Sequence, residues 1–107
     1  MSIIVNIIPN PIFPSTQIIK DTESILEISV FDGADPVDLS GMTTKLKWTK
    51  PFGDILEIET EIQNGKVLAH VTKEATNEPD QTTCELTLRN EEKEEKAFFF
   101  VYVEDIR

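Results

Sequence analysis

The chain has 107 residues, the size of one domain, and 39% of them are apolar, enough for a folded core. Ten basic and twenty acidic residues give a net charge of −10, which disfavours nucleic acid and anionic membranes as partners. The single cysteine, Cys84, allows no internal disulfide and fits folding in a reducing cytoplasm. These totals predict one domain over residues 1–107.

The amino-terminal segment predicts a strand followed by a proline-rich piece. Residues 3–8 are apolar, but no Lys or Arg precedes them, and Asn6 and Pro9 interrupt the run, so neither a signal peptide nor a membrane span is indicated. Three prolines between positions 9 and 14 remove ladder donors around Ile12 and Phe13. This piece is either a loop packed on its own domain or an arm that docks on a neighbour.

Evenly spaced alternating segments dominate the chain from residue 24 onward. Residues 25–31, 43–49 and 55–62 alternate apolar with polar side chains, and each run ends at a Gly-containing turn. The pair Asn64-Gly65 is a strong hairpin signal, because both residues tolerate positive φ. The pattern predicts an all-β, antiparallel β-sandwich of about seven to eight strands, with immunoglobulin-like or jelly-roll-like order.

Two residues of the central strands have alternative interpretations. Trp48 shares a face with Leu46, which predicts a core anchor, although an exposed indole would be a stacking platform for sugar. His70 alternates with Ala69 and Val71 and is expected to point away from the core. Because it has no partner Cys or second His, it predicts no metal site.

Residues 73–79 are the one helix-like stretch. Thr72 could cap a short helix there, and Pro79 would end it. Alternation resumes in residues 82–90, where Cys84 takes a core-facing position and is expected to be an inert apolar residue.

The last strand, residues 97–103, is apolar on both faces. Such a strand is either central in a sandwich or covered by another protein. Phe98, Phe100 and Tyr102, together with Ile12 and Phe13, are therefore the candidate protein-interface residues. The competing interpretation places them in an ordinary core.

Signals for catalysis or cofactor binding are weak. Asp32, Asp35 and Asp38 could offer oxygen ligands to Ca²⁺, but Pro36 disrupts the spacing, which favours turn residues that bond their own backbone. The sequence contains no Gly-rich phosphate loop and no Gly-x-Ser-x-Gly elbow. We therefore expect a non-enzymatic protein with no catalytic residue, no cofactor and no metal.

Several turn signatures together resemble one protein family. Asp21-Thr22-Glu23-Ser24 leads into a strand, then Asp-Gly-Ala-Asp-Pro-Val-Asp-Leu-Ser-Gly spans residues 32–41, and Lys-Pro-Phe-Gly spans residues 50–53. The later half adds Asn64-Gly65-Lys66-Val67 and a Glu-Ala pair at Glu74-Ala75. Across roughly residues 3–105, this pattern resembles the amino-terminal, baseplate-docking domain of phage baseplate upper proteins from siphophages of Gram-positive hosts.

The resemblance implies a structural role in the tail tip of the virion, made in the host cytoplasm. Its partners would be other phage tail and baseplate proteins, with a homo-oligomer possible. Long members of the family continue where this chain ends, at Arg107. The chain is therefore expected to be either a fragment of such a protein or a compact standalone tail component, and the resemblance does not carry over trimer formation or attachment of the host-binding protein.

Two other functions compete with an assembly role. A carbohydrate-binding or adhesin-like sandwich would bind host glycan through exposed aromatics, for which Trp48, Phe52 and Tyr102 are the suppliers. A small hydrolase using acidic residues would require a cleft with a raised carboxyl pKa.

Overall fold

The computed structural model describes residues 3–10 and 17–105, with side chains from residue 18 onward. The chain in these ranges is all-β and contains no helix. The strands are β1 (Ile3–Asn10), β2 (Gln17–Ile19), β3 (Ser24–Asp32), β4 (Asp35–Pro36), β5 (Thr43–Thr49), β6 (Ile55–Gln63), β7 (Lys66–Val71), β8 (Asp80–Arg89) and β9 (Glu94–Glu104).

Eight of these strands form one continuous sheet in the order β1-β3-β7-β6-β5-β8-β9-β2, and β4 pairs with β3. All pairings are antiparallel except that of β2 with β9. The strand β6 turns the sheet: residues 55–58 pair with β5, whereas residues 59–63 pair with β7. The sheet therefore curls at the middle of β6.

The side chain of Thr60 holds the curl at the point where β6 changes partners. Its hydroxyl lies 2.8 Å from the Thr44 hydroxyl and 3.2 Å from the Thr44 carbonyl oxygen, to which it donates. At the far ends, Cα atoms of β1 and β9 come within 8 Å of each other. The curl thus brings β1 close to β9, and the core lies on the inner side of the curled sheet.

The alternating pattern of the sequence places one side of each strand in that core. In β3, Leu26, Ile28 and Val30 are buried while the residues between them are half-buried. Trp48 is fully buried, as predicted for a core anchor. The core also holds these residues from the other strands: Leu46, Ile58, Val67, Ala69, Val71, Cys84, Leu86, Leu88, Ala97, Phe99, Val101 and Val103.

The predicted hairpin at Asn64-Gly65 is present between β6 and β7. Asn64 has φ of 53° and Gly65 has φ of 74°. Two consecutive left-handed residues match the twist of the flanking strands, which is why this dipeptide is favoured in two-residue hairpin loops.

The predicted short helix at residues 73–79 is wrong. The segment forms two overlapping turns, in which the Ala75 amide donates to the Thr72 carbonyl at 3.1 Å and the Thr76 amide to the Lys73 carbonyl at 3.2 Å. In a helix the Ala75 carbonyl would accept from the amide of residue 79, but Pro79 has no N–H. The indole Nε1 of Trp48 donates to that carbonyl instead, at 3.0 Å.

Further contacts fix this turn segment over the end of the core. The Thr76 hydroxyl donates to the Thr22 carbonyl at 2.8 Å and accepts from the Thr22 amide at 3.1 Å. Lys50, at the end of β5, reaches Glu78 with Nζ and Oε2 2.8 Å apart, and both side chains are nearly buried. The segment is therefore held by specific polar contacts rather than by helical hydrogen bonds.

Candidate protein interface

The last strand, β9, presents its two apolar faces to different surroundings. Ala97, Phe99, Val101 and Val103 point into the core. Their alternating neighbours form an aromatic stripe, Phe98, Phe100 and Tyr102, whose exposed fractions are 66%, 60% and 47%. In the isolated chain these three residues are therefore not part of the core.

The β8 residues that lie opposite the aromatic stripe are polar. In the register of β8 with β9, Phe98 lies opposite Glu85 and Phe100 lies opposite Thr83. Opposite Tyr102 is Gln81. Because these partners are short or hydrophilic, the rings stand above the sheet surface, where a second protein could cover them.

The stripe lies at one side of a larger surface, which we call the stripe face. It consists of the outward-pointing residues of four neighbouring strands, as shown by their alternation with buried residues. These are Thr43, Lys45, Lys47 and Thr49 of β5, Ile55 and Glu57 of the part of β6 that pairs with β5, Gln81, Thr83, Glu85, Thr87 and Arg89 of β8, and Glu94, Lys96, Phe98, Phe100, Tyr102 and Glu104 of β9.

Charges on the stripe face balance one another, unlike those of the whole chain. Glu85 lies between two lysines, 3.1 Å from Lys96 and 3.9 Å from Lys47, and Lys45 is 3.8 Å from Glu57. The hydrogen bond from Lys96 to Glu85, with the attraction of that carboxylate, raises the pKa of the Lys96 ammonium. The face carries four basic and four acidic side chains, on a chain with net charge −10.

This balance of charge is not visible in the sequence. Lys45 and Lys47 alternate visibly on one strand, but Glu85 and Lys96 are remote in sequence from them and from Glu57. They meet only because β8 lies between β5 and β9, a non-local pairing that no local pattern specifies.

The other predicted site residues are scattered. Ile12 and Phe13 lie outside the described residues. Phe52 is 80% exposed in the turn between β5 and β6, whereas Trp48 is fully buried and offers no stacking surface. Of the three aromatics named for glycan binding, Trp48 is therefore excluded.

Cys84, Asp38 and His70 lie in three different environments. Burial raises the pKa of the Cys84 thiol far above its ordinary value, which keeps it protonated and unreactive. The pKa of Asp38 is lowered because its carboxylate accepts from the Ser40 amide at 3.0 Å, the opposite of the shift a general acid needs. His70 Nε2 lies 3.1 Å from Glu61 Oε1 at the surface.

Among the residues that the structure describes, no three His, Cys, Asp or Glu side chains lie close enough to share a metal ion. The same residues include no helix with the length and apolar character needed to cross a bilayer.

Comparison with known proteins supplies no assignment. No family model matches the chain, and no curated protein matches it.

Proposed function

We propose that this chain is a non-enzymatic structural component of a phage tail baseplate, which docks through protein–protein contacts made by the stripe face. The observation that carries the docking role is the aromatic stripe, three large side chains exposed on a strand with no outward polar residue between residues 97 and 103. Aromatic residues are enriched at protein interfaces, and charged groups are depleted at interface centres.

The expected gain from covering the stripe can be set against the cost of association. At the observed exposures, covering the three rings removes about 300 Å² of surface, worth about 8 kcal/mol at 25 cal/mol per Å². Association costs an estimated 4–15 kcal/mol or more before any net affinity appears. The stripe alone is therefore insufficient, and the remaining stripe face must be covered with it.

We also propose that the curled sheet is a β-sandwich with immunoglobulin-like rather than jelly-roll-like order. The pairing β1-β3-β7-β6 corresponds to strands A, B, E and D of an immunoglobulin constant-type domain, and β5-β8-β9 corresponds to C, F and G. A buried Trp on strand C is a hallmark of that fold, and Trp48 takes this place opposite Cys84.

The placement in a phage baseplate rests on the turn signatures of the sequence. Asp32-Gly33 and Lys50-Pro51-Phe52-Gly53 lie at turns between strands, and these turns are the elements shared with the family it resembles. A strand that exposes three aromatic side chains suits a structural component that docks on other proteins.

The experiment is complementation of a phage lacking this gene. Wild-type protein supplied from a plasmid should restore infectious titre and appear in purified virions by immunoblot. A variant with Phe98→Ser and Phe100→Ser should fail to restore titre, whereas the matched control Phe52→Ser, an aromatic more exposed than either, should succeed. Wild-type protein that is absent from purified virions would refute the baseplate role.

Glycan binding by the same stripe is the second candidate, since exposed rings also stack on sugars. The burial of Trp48 counts against it. Titration of purified protein with host cell-wall oligosaccharides should show no saturable binding at millimolar sugar. Saturable binding that Tyr102→Ser abolishes would favour an adhesin instead.

A further inference from the structure

We infer that the occupant of the stripe face is a second copy of this chain, placed by a two-fold axis so that the two stripe faces meet. This inference rests on the proposed docking role and names the partner. In a two-fold interface the same patch is contributed by both subunits, so the patch must tolerate its own charge and shape.

The distribution of charge makes this face more suitable than other faces of the chain for binding a second copy. The stripe face has no net charge, so the whole net charge of −10 lies on the rest of the chain. Two copies meeting elsewhere would bring like charges together, which costs several kcal/mol at an interface. Two stripe faces meet without that repulsion.

The ion pairs of the stripe face also favour self-association, because they pair its lysines within one chain. Lys45, Lys47 and Lys96 are each already within 4 Å of a glutamate of their own chain. No lysine of this group requires a carboxylate from a partner. A strongly acidic or strongly basic partner therefore gains little on this face, whereas an apolar and balanced surface like its own fits it.

The size of the face agrees with a weak to moderate dimer. A standard interface takes about 800 Å² from each partner, about an eighth of the 6455 Å² of accessible surface on this chain. Four strands about 4.8 Å apart, each presenting about 20 Å of length, give a flat footprint of roughly 400 Å². Side-chain relief raises that area, but it remains near the lower limit for a stable dimer, so we expect a micromolar dissociation constant.

Ionic strength distinguishes this interface from one built on opposite charges. The net charge of each copy opposes association, and salt screens this repulsion because the Debye length falls from about 30 Å at 0.01 M to about 10 Å at 0.1 M. Dimerisation through the stripe face is thus expected to strengthen as salt is added. An interface built on attraction between the copies would weaken under the same change.

The test is sedimentation equilibrium of the full chain from about 1 to 500 µM, at low and at moderate salt. We expect a monomer–dimer equilibrium that tightens with salt. Phe100→Ser should weaken it at least about tenfold. Phe52→Ser is the matched control and should leave it unchanged, because Phe52 lies in a turn off the strands of the stripe face.

A second variant distinguishes loss of the interface from loss of the fold. Thr83→Glu places a charge opposite Phe100 on an exposed position and should also weaken the dimer, while thermal unfolding shows that the fold is kept. A wild-type chain that stays monomeric at both salt concentrations overturns the inference. So does a dimer that the two stripe-face variants leave unchanged, or one that salt weakens. If the monomeric chain still needs Phe98 and Phe100 for complementation, the docking role stands and only the self-pairing fails.

Discussion

Replacing Trp48 by Phe tests whether one indole N–H holds the turn segment, residues 72–79, onto the core. Trp48 is fully buried, and its Nε1 donates to the carbonyl of Ala75, itself fully buried, at 3.0 Å. Phenylalanine keeps an aromatic ring in the core but removes the donor. Since Pro79 supplies no N–H, the Ala75 carbonyl is then left without its partner.

The expected loss of stability has two parts. An unpaired buried carbonyl costs about 1–3 kcal/mol. The smaller ring leaves a void of about 40 Å³, which at about 24 cal/mol per Å³ adds about 1 kcal/mol. We therefore expect the free energy of unfolding to fall by about 2–4 kcal/mol.

The measurement is urea-induced unfolding followed by far-UV circular dichroism, because the substitution removes the only tryptophan and with it the fluorescence signal. Phe52→Leu, at an exposed position, is the control and should change stability by less than about 0.5 kcal/mol. Hydrogen exchange adds a local readout: the Ala75 and Thr76 amides should lose protection beyond the global change. If Trp48→Phe were as stable as wild type, the hydrogen bond would not hold the segment and the reasoning would be refuted.

Three further predictions concern other residues. Lys50→Met leaves Glu78 without its partner in a nearly buried pair and should cost about 3–5 kcal/mol in urea unfolding, whereas adding Glu78→Leu should recover most of the loss. The raised pKa of Cys84 means that thiolate forms first in the unfolded chain, so stability present below about pH 8.5 should fall at higher pH. Relative to Cys84→Ala, the wild type should lose about 2 kcal/mol between pH 8 and pH 10, and parallel pH curves for the two proteins would contradict this. Phe98→Ser and Phe100→Ser should each cost at most about 1 kcal/mol by thermal unfolding, and losses of 3–5 kcal/mol would show that these rings are core.

Local sequence patterns were sufficient to predict a residue's environment where that environment depends on its neighbours along the chain. Period-two alternation predicted which side chains of residues 25–31 and 43–49 are buried, and Asn64-Gly65 predicted the hairpin through its tolerance of positive φ. The prediction of a helix at residues 73–79 was wrong because of a contact between residues distant in sequence. The carbonyl of Ala75 found its donor on Trp48, a contact between residues 27 positions apart.

For the candidate interface, the sequence by itself determined that residues 97–103 are apolar on both sides, and it left open whether the strand is central in a sandwich or covered by something else. Only the tertiary structure decided which side is buried and which is exposed. The placement of β9 beside β8 in the curled sheet buries Phe99 and Val101 and leaves Phe98 and Phe100 exposed. The physical reason is that alternation fixes two faces for a strand, but strand order, which depends on contacts distant in sequence, fixes what each face meets.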